Sequence, residues 1–342
     1  MSREATYLDC DYVSTVFSGK KVLMRVVGPV HPPNYVLVYP KYVESSEPSP
    51  WRGYLRLVPR YSPCAIYDAA LRITRELNAS LMKYDPYWNS TVPLLDKRKI
   101  REHFLPEVRL AEIIREARGL ETYVRELVLE LVDNSSARLS YIGVTGSILL
   151  KIHNEKLSDI DIVVYEPVPP EEVRQAISTL KDQGLASSLS PDDIALKARE
   201  KAESYGIPFE KAVELYKRRV ELGLFKGRQF SICYVRRSPR RWERYGCRSF
   251  RFLSPIELTC EIIDNADSYS LTGRLIVNNV RILQGPDLKP SEIILYDSFF
   301  LGLFSVGERV RVKGLAAETS DGELVVLVGT HEVGGYVIPG TS

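Results

Sequence analysis

The segment Tyr141–Glu166, YIGVTGSILLKIHNEKLSDIDIVVYE, constrains this chain more than any other. An apolar run leads into Gly146-Ser147, eleven residues follow, and Asp159-Ile160-Asp161 then opens a second apolar run. The pattern predicts a strand over 141–144, a helix from Ser147 to about His153 and a strand from Ile160 to Tyr165. Side chains alternate along a strand, so Asp159 and Asp161 share one face while Ile160 and Ile162 take the other. Two adjacent carboxylates with no sequence-close basic partner repel, and a divalent cation between them relieves the repulsion. Hard oxygen ligands suit Mg²⁺, which keeps waters and bridges to phosphate oxygens. At the other end of the unit, Gly146 has no side chain to block an anion and Ser147 adds a hydroxyl, both at a helix N-terminus. The frame suits a nucleoside triphosphate with its metal.

The Gly-Ser pair, the spacing and Asp-Ile-Asp resemble the motif of the DNA polymerase beta-type nucleotidyltransferase superfamily. The three-part layout is similar to a group of uncharacterised archaeal predicted nucleotidyltransferases. The resemblance implies a mixed sheet with helices over about residues 120–252. It implies that Asp159 and Asp161 are catalytic and hold Mg²⁺, that Gly146 and Ser147 bind the β- and γ-phosphates, and that a nucleoside monophosphate passes from a nucleoside triphosphate to a hydroxyl. It also implies a third carboxylate on a neighbouring strand, completing a two-metal site. The strand best placed for it, Phe230–Val235, has no acid. Glu257 and Glu261 fall at the entry to the next domain, and Glu210 and Glu214 on a helix. The reading leans to an active transferase. The alternative is a catalytically inactive protein of the same fold that binds RNA or single-stranded nucleic acid. A small-molecule nucleotidylating enzyme is a third option, and the absence of G-x-x-x-x-G-K-S/T excludes a P-loop ATPase.

Charge supports a polyanionic partner. Formal net charge is only +2, yet Lys217–Arg251 holds twelve Lys or Arg against Glu221 and Glu243. Arg228, Arg236, Arg237, Arg240 and Arg241 are the candidate polyanion contacts, with 236–246 as an exposed loop over an RNA or DNA acceptor or a triphosphate. Phe230, Ile232 and Tyr234 read as core. The five cysteines are dispersed and contain no C-x-x-C pair, which predicts reduced thiols, and the four histidines form no cluster. No apolar run is long enough for a bilayer and no secretory leader is evident, so the expectation is a cytoplasmic protein.

With 342 residues the chain exceeds one comfortable core. The expectation is an α+β multidomain chain. Residues 1–95 form a β-rich domain in which 20–30 and 34–43 are strands, and residues 85–99 act as a connector. Residues 96–255 form the nucleotidyltransferase-like domain, with helices over 105–118, 120–133, 170–183, 190–205 and 208–222. Residues 256–342 form a small OB-like β-barrel, in which Arg309, Arg311 and Lys313 alternate outward against Val310 and Val312.

Overall fold

The structure is a computed structural model and describes residues 6–58 and 61–340. It is a mixed α+β chain whose described residues form seven α-helices and three sheets. No helix among the described residues is long and apolar enough to cross a membrane.

The first sheet contains β1 (Tyr12–Phe17), β2 (Lys20–Val26), β3 (Tyr35–Glu44) and β4 (Tyr54–Arg56), then β5 (Met82–Asp85), β6 (Ser90–Asp96) and β7 (Glu102–Phe104). Its order is β5-β6-β3-β2-β1-β7, with β4 also on β3. Helix α1 (Pro63–Glu76) packs Ala69, Ala70 and Ile73 against it. Its start signal is local: the Ser62 side chain accepts from Ala65 N and Pro63 sits in the first turn. Residues 85–99 are no connector. They supply β6, whose Leu94 and Leu95 are buried, and β7 closes the far edge against β1.

The second sheet is built from β8 (Ile142–Val144), β9 (Ile160–Tyr165), β10 (Ala186–Ser187), β11 (Leu222–Phe225) and β12 (Arg228–Val235), in the order β10-β11-β12-β9-β8. β12 runs parallel to β9 and the other pairings are antiparallel. Between strands lie α2 (Pro106–Arg115), α3 (Leu120–Asp133), α4 (Gly146–Leu149) and α5 (Pro170–Asp182). The apolar stripe of α3, with Val124, Leu127, Val128 and Leu131, joins Ile160, Ile162 and Val164 in one core.

Helices α6 (Pro191–Tyr205) and α7 (Phe209–Lys217) form the next pair. Ser190 caps α6 and Gly206 ends it in the left-handed region at φ 63°. Their buried Ala198, Ala212 and Leu215 join the core of the third sheet rather than the second. That sheet contains β13 (Phe250–Asp264), β14 (Gly273–Gln284), β15 (Glu292–Leu295), β16 (Arg309–Thr319), β17 (Leu324–Val328) and β18 (Tyr336–Pro339). β13 pairs with both β14 and β16, so β13-β14-β15-β17-β16 close into a ring, with β18 outside it on β16. Along β16, Arg309, Arg311 and Lys313 face solvent and Val310 and Val312 are fully buried.

Candidate active site

Asp159 immediately precedes β9 and Asp161 is its second residue, so the pleat puts both carboxylates on one face while Ile160 and Ile162 are fully buried on the other. The neighbouring strand β12 sets Ser231 opposite Asp161. The Ser231 hydroxyl donates to Asp161 Oδ1 at 2.6 Å and Gln229 Nε2 donates to Asp159 Oδ2 at 2.9 Å. Where the resemblance implies a third carboxylate, the sheet offers a hydroxyl and an amide. Each carboxylate is oriented through one oxygen and keeps the other.

Gly146 follows β8 with φ at 68°. A Cβ placed there would lie 2.5 Å from Asp161 Oδ2. Glycine is required twice, by the backbone conformation and by the approach of the carboxylate. The turn is held by Thr145, whose N–H donates to the Asp161 carbonyl at 2.9 Å and whose hydroxyl donates to the Cys10 carbonyl at 2.6 Å. Helix α4 lasts only four residues, short of the predicted end at His153, so little macrodipole builds up behind Ser147. The Ser147 hydroxyl hydrogen-bonds Ser158, which in turn accepts from Asn154 N and secures the loop leading to Asp159. Gly146→Ala is expected to cost about 1–3 kcal/mol of stability and to displace the Asp161 carboxylate. Chemical denaturation together with a cation titration checks both effects.

Asp159 is pushed up to about 6, first by desolvation and then by the Asp161 charge, against the pull of Lys197, Arg228 and Arg56. The side chain retains considerable surface, so solvent screening keeps the stability worth of this shift small. The folded chain holds this proton more tightly than the unfolded chain. Protonation therefore favours the folded state in acid, and that contribution is lost as pH rises through about 6. A cation bound at these carboxylates would compete with the same proton. Its affinity is expected to fall roughly tenfold between pH 7 and pH 5, with the midpoint near 6, as followed by calorimetric Mn²⁺ titration at each pH.

The carboxylates open into a cleft of about 560 Å³ at the meeting of the three sheets. Lys41 of β3, Arg56 of β4 and Lys197 of α6 line it, and among the described residues none of the three has an ion-pair partner. Lys41 is only 8% exposed, with its ammonium 5.3 to 5.7 Å from the ring centroids of Tyr12, Tyr42 and Tyr61. Arg25 Nε, also on the cleft wall, is buried with no hydrogen-bond partner among the described residues. Such a wall is costly when empty and is matched by a ligand carrying several anionic oxygens. No sequence motif flags these residues, because 41, 56 and 197 come together only through the fold.

The arginine-rich segment is tied down and not free over the cleft. Arg236 is 3% exposed and donates to Glu243 at 2.9 Å and to the Thr272 carbonyl at 2.6 Å. Arg240 bonds Asp267 and Glu166, and Arg248 bonds Glu292 and Asp321. Arg228 donates to the carbonyls of Lys156 and Glu155, clamping the loop before Asp159. Arg237 donates to the Ser140 carbonyl and lies over the rings of Tyr141 and Tyr165. Arg241 is exposed, with no ion pair among the described residues. Glu243, which answers Arg236, lies inside the window in which charge was counted, but the acids answering Arg240 and Arg248 come from 166, 267, 292 and 321, outside it.

No group of three or more His, Cys, Asp or Glu side chains that could hold a metal occurs among the described residues. The two carboxylates with their free oxygens fit a single Mg²⁺ that takes its other ligands from water and from phosphate, and they do not fit an all-protein cage. No family model matches the chain, and comparison with curated proteins and with solved structures finds no match.

Proposed function

We propose that the chain is a Mg²⁺-dependent nucleotidyltransferase of the DNA polymerase beta type, acting in the cleft between its three sheets. The observation that carries this reading is the pairing of two same-face carboxylates with an unpartnered cationic wall in one cleft. Asp159 and Asp161 would hold the cation, which when bound neutralises charge on the phosphates and polarises the one under attack. Lys41, Arg56 and Lys197 bind the triphosphate oxygens, and Gly146 leaves the Asp161 carboxylate room to reach the metal. Gln229 and Ser231 fix the orientation of the two carboxylates. An acceptor hydroxyl then forms a bond to the α-phosphorus as the α–β bridging oxygen departs with pyrophosphate. The hydroxyl proton passes to solvent.

In this reading the C-terminal ring of strands serves as an OB-like unit that walls the cleft. A space of this size suits one nucleotide and a compact acceptor. The neutralised arginines weigh the same way. One observation favours the inactive, RNA-binding alternative: Ser231 stands where a third metal ligand would complete a two-metal site. Calorimetric titration with each nucleoside triphosphate, with and without Mg²⁺, separates the two. Magnesium-dependent binding of a triphosphate supports the transferase. Absence of triphosphate binding together with tight binding of single-stranded RNA would replace it with the alternative.

A further inference from the structure

The face of the second sheet that carries the carboxylates does not end at the cleft. Asp159 and Asp161 are followed on the same face by Val163 and Tyr165, and on β12 Gln229 and Ser231 are followed by Cys233 and Val235. The cleft exposes the first part of this face. The segment Leu8–Cys10, which precedes β1 and belongs by sequence to the first sheet, covers the second: Leu8, Cys10, Val163, Tyr165 and Val235 form one buried cluster with Cys233 against it. Within that cluster Cys10 Sγ lies 3.0 Å from Cys233 Sγ, although 223 positions separate the two in sequence. Two sulfurs at this separation are inside ordinary non-bonded contact and need about 1 Å of approach to reach bonding distance. Cys10 is fully buried, whereas Cys233 keeps partial exposure. The Arg25 guanidinium, on the cleft wall, reaches Cys10 Sγ at 3.0 Å, so the pair borders the cleft instead of the deep core. The remaining cysteines are elsewhere: Cys64 and Cys247 are exposed and Cys260 is buried in the core of the third sheet.

We propose that Cys10 and Cys233 are a disulfide site that clasps the N-terminal segment onto the active face of the second sheet. The oxidant is a peroxide. The Cys233 sulfur takes one oxygen from the O–O bond to become a sulfenic acid, with one water released. The Cys10 sulfur then displaces the hydroxyl as a second water, so that two thiols and one peroxide give one disulfide and two waters. Cys10 also accepts the Thr145 hydroxyl through its carbonyl, so the clasp fixes the turn that presents Gly146 as well as the strand that presents Ser231. The bond closes a loop of more than two hundred residues, and a cross-link of that span restricts the unfolded chain strongly.

The full chain carrying Cys64→Ser and Cys247→Ser leaves three thiols and removes the two exposed competitors. This protein would be treated in the folded state with hydrogen peroxide, quenched, unfolded in denaturant with an alkylating reagent and digested. The expected result is a single cross-linked peptide pair containing Cys10 and Cys233, one alkylated thiol at Cys260, and reversal by a dithiol reductant. Oxidised protein should melt higher than reduced protein by about 5 °C or more. That rise should be absent in the same background with Cys233→Ala. Full alkylation of all three thiols after oxidation, or a cross-link that involves Cys260, would overturn the site. A cross-link between Cys10 and Cys233 that leaves the melting temperature unchanged would overturn the clasp. The peptide map is made on a chain in which both sulfurs are native, so a folding failure of the alanine variant does not affect it.

Discussion

On the proposed function, Asp161→Asn is expected to leave the fold intact and to reduce magnesium-dependent nucleotidyl transfer by about 10³-fold or more. Asp161 accepts from Ser231 through Oδ1 and presents Oδ2 over Gly146, which has no side chain to obstruct it. Asparagine has the same shape and can still accept the serine hydroxyl. It lacks the charge, so a cation held as proposed would lose one of two protein ligands and half of the protein's local compensating charge. Removing that charge also removes the repulsion that helps to hold Asp159 near 6, and the remaining carboxylate should titrate closer to its ordinary value. The experiment has two readouts. Turnover with radiolabelled triphosphate reports the loss of activity, and the pH midpoint of residual Mn²⁺ binding reports the shift at Asp159. Retention of transfer at wild-type rate in the asparagine variant would remove the carboxylate pair from the mechanism.

How much of this site the chain announces in advance depends on how local each part is. The Gly146-Ser147 turn, the eleven-residue spacing and the same-face placement of Asp159 and Asp161 are consequences of strand alternation and one tight turn, and they are legible because every partner lies within 25 residues. Strand β12 is legible as an apolar alternating run, but its parallel register against β9, which brings Ser231 to Asp161, is set by long-range packing. The start of helix α1 is marked locally by Ser62 and Pro63. The chain from Asp85 to Lys99 looks like a connector because Pro86, Asn89 and Pro93 punctuate it, whereas Leu94 and Leu95 of β6 are buried by pairing of that strand with β3. The arginine segment is misread for a different reason. A count of charge within a window cannot include Glu166, Asp267, Glu292 and Asp321, which neutralise Arg240 and Arg248 from four other segments of the chain.

The cationic wall is the part no local pattern reveals, and Lys41 is its most informative member. Its ammonium is buried among tyrosine rings, without a carboxylate partner among the described residues, in a cleft that also holds the orphaned Arg25 Nε. Cation–π attraction offsets part of the desolvation cost, about 0.5–2 kcal/mol for each well-placed ring, against a penalty of several kcal/mol. An ammonium held this way is a poor contributor to stability and a strong donor to an incoming phosphate oxygen. Lys41→Met keeps most of the side-chain volume and removes the charge. The two consequences have opposite signs: the free protein should melt at the same temperature or higher, while triphosphate affinity should fall about 10–100-fold, the worth of one charge-assisted hydrogen bond in a water-poor cleft. Differential scanning calorimetry and isothermal titration on the same preparation give both numbers. A variant that melts lower and binds as tightly would mean that Lys41 is a structural cation compensated by its rings alone. The cleft would then have to recognise its ligand through Arg56 and Lys197, both of which act on the Asp159 charge.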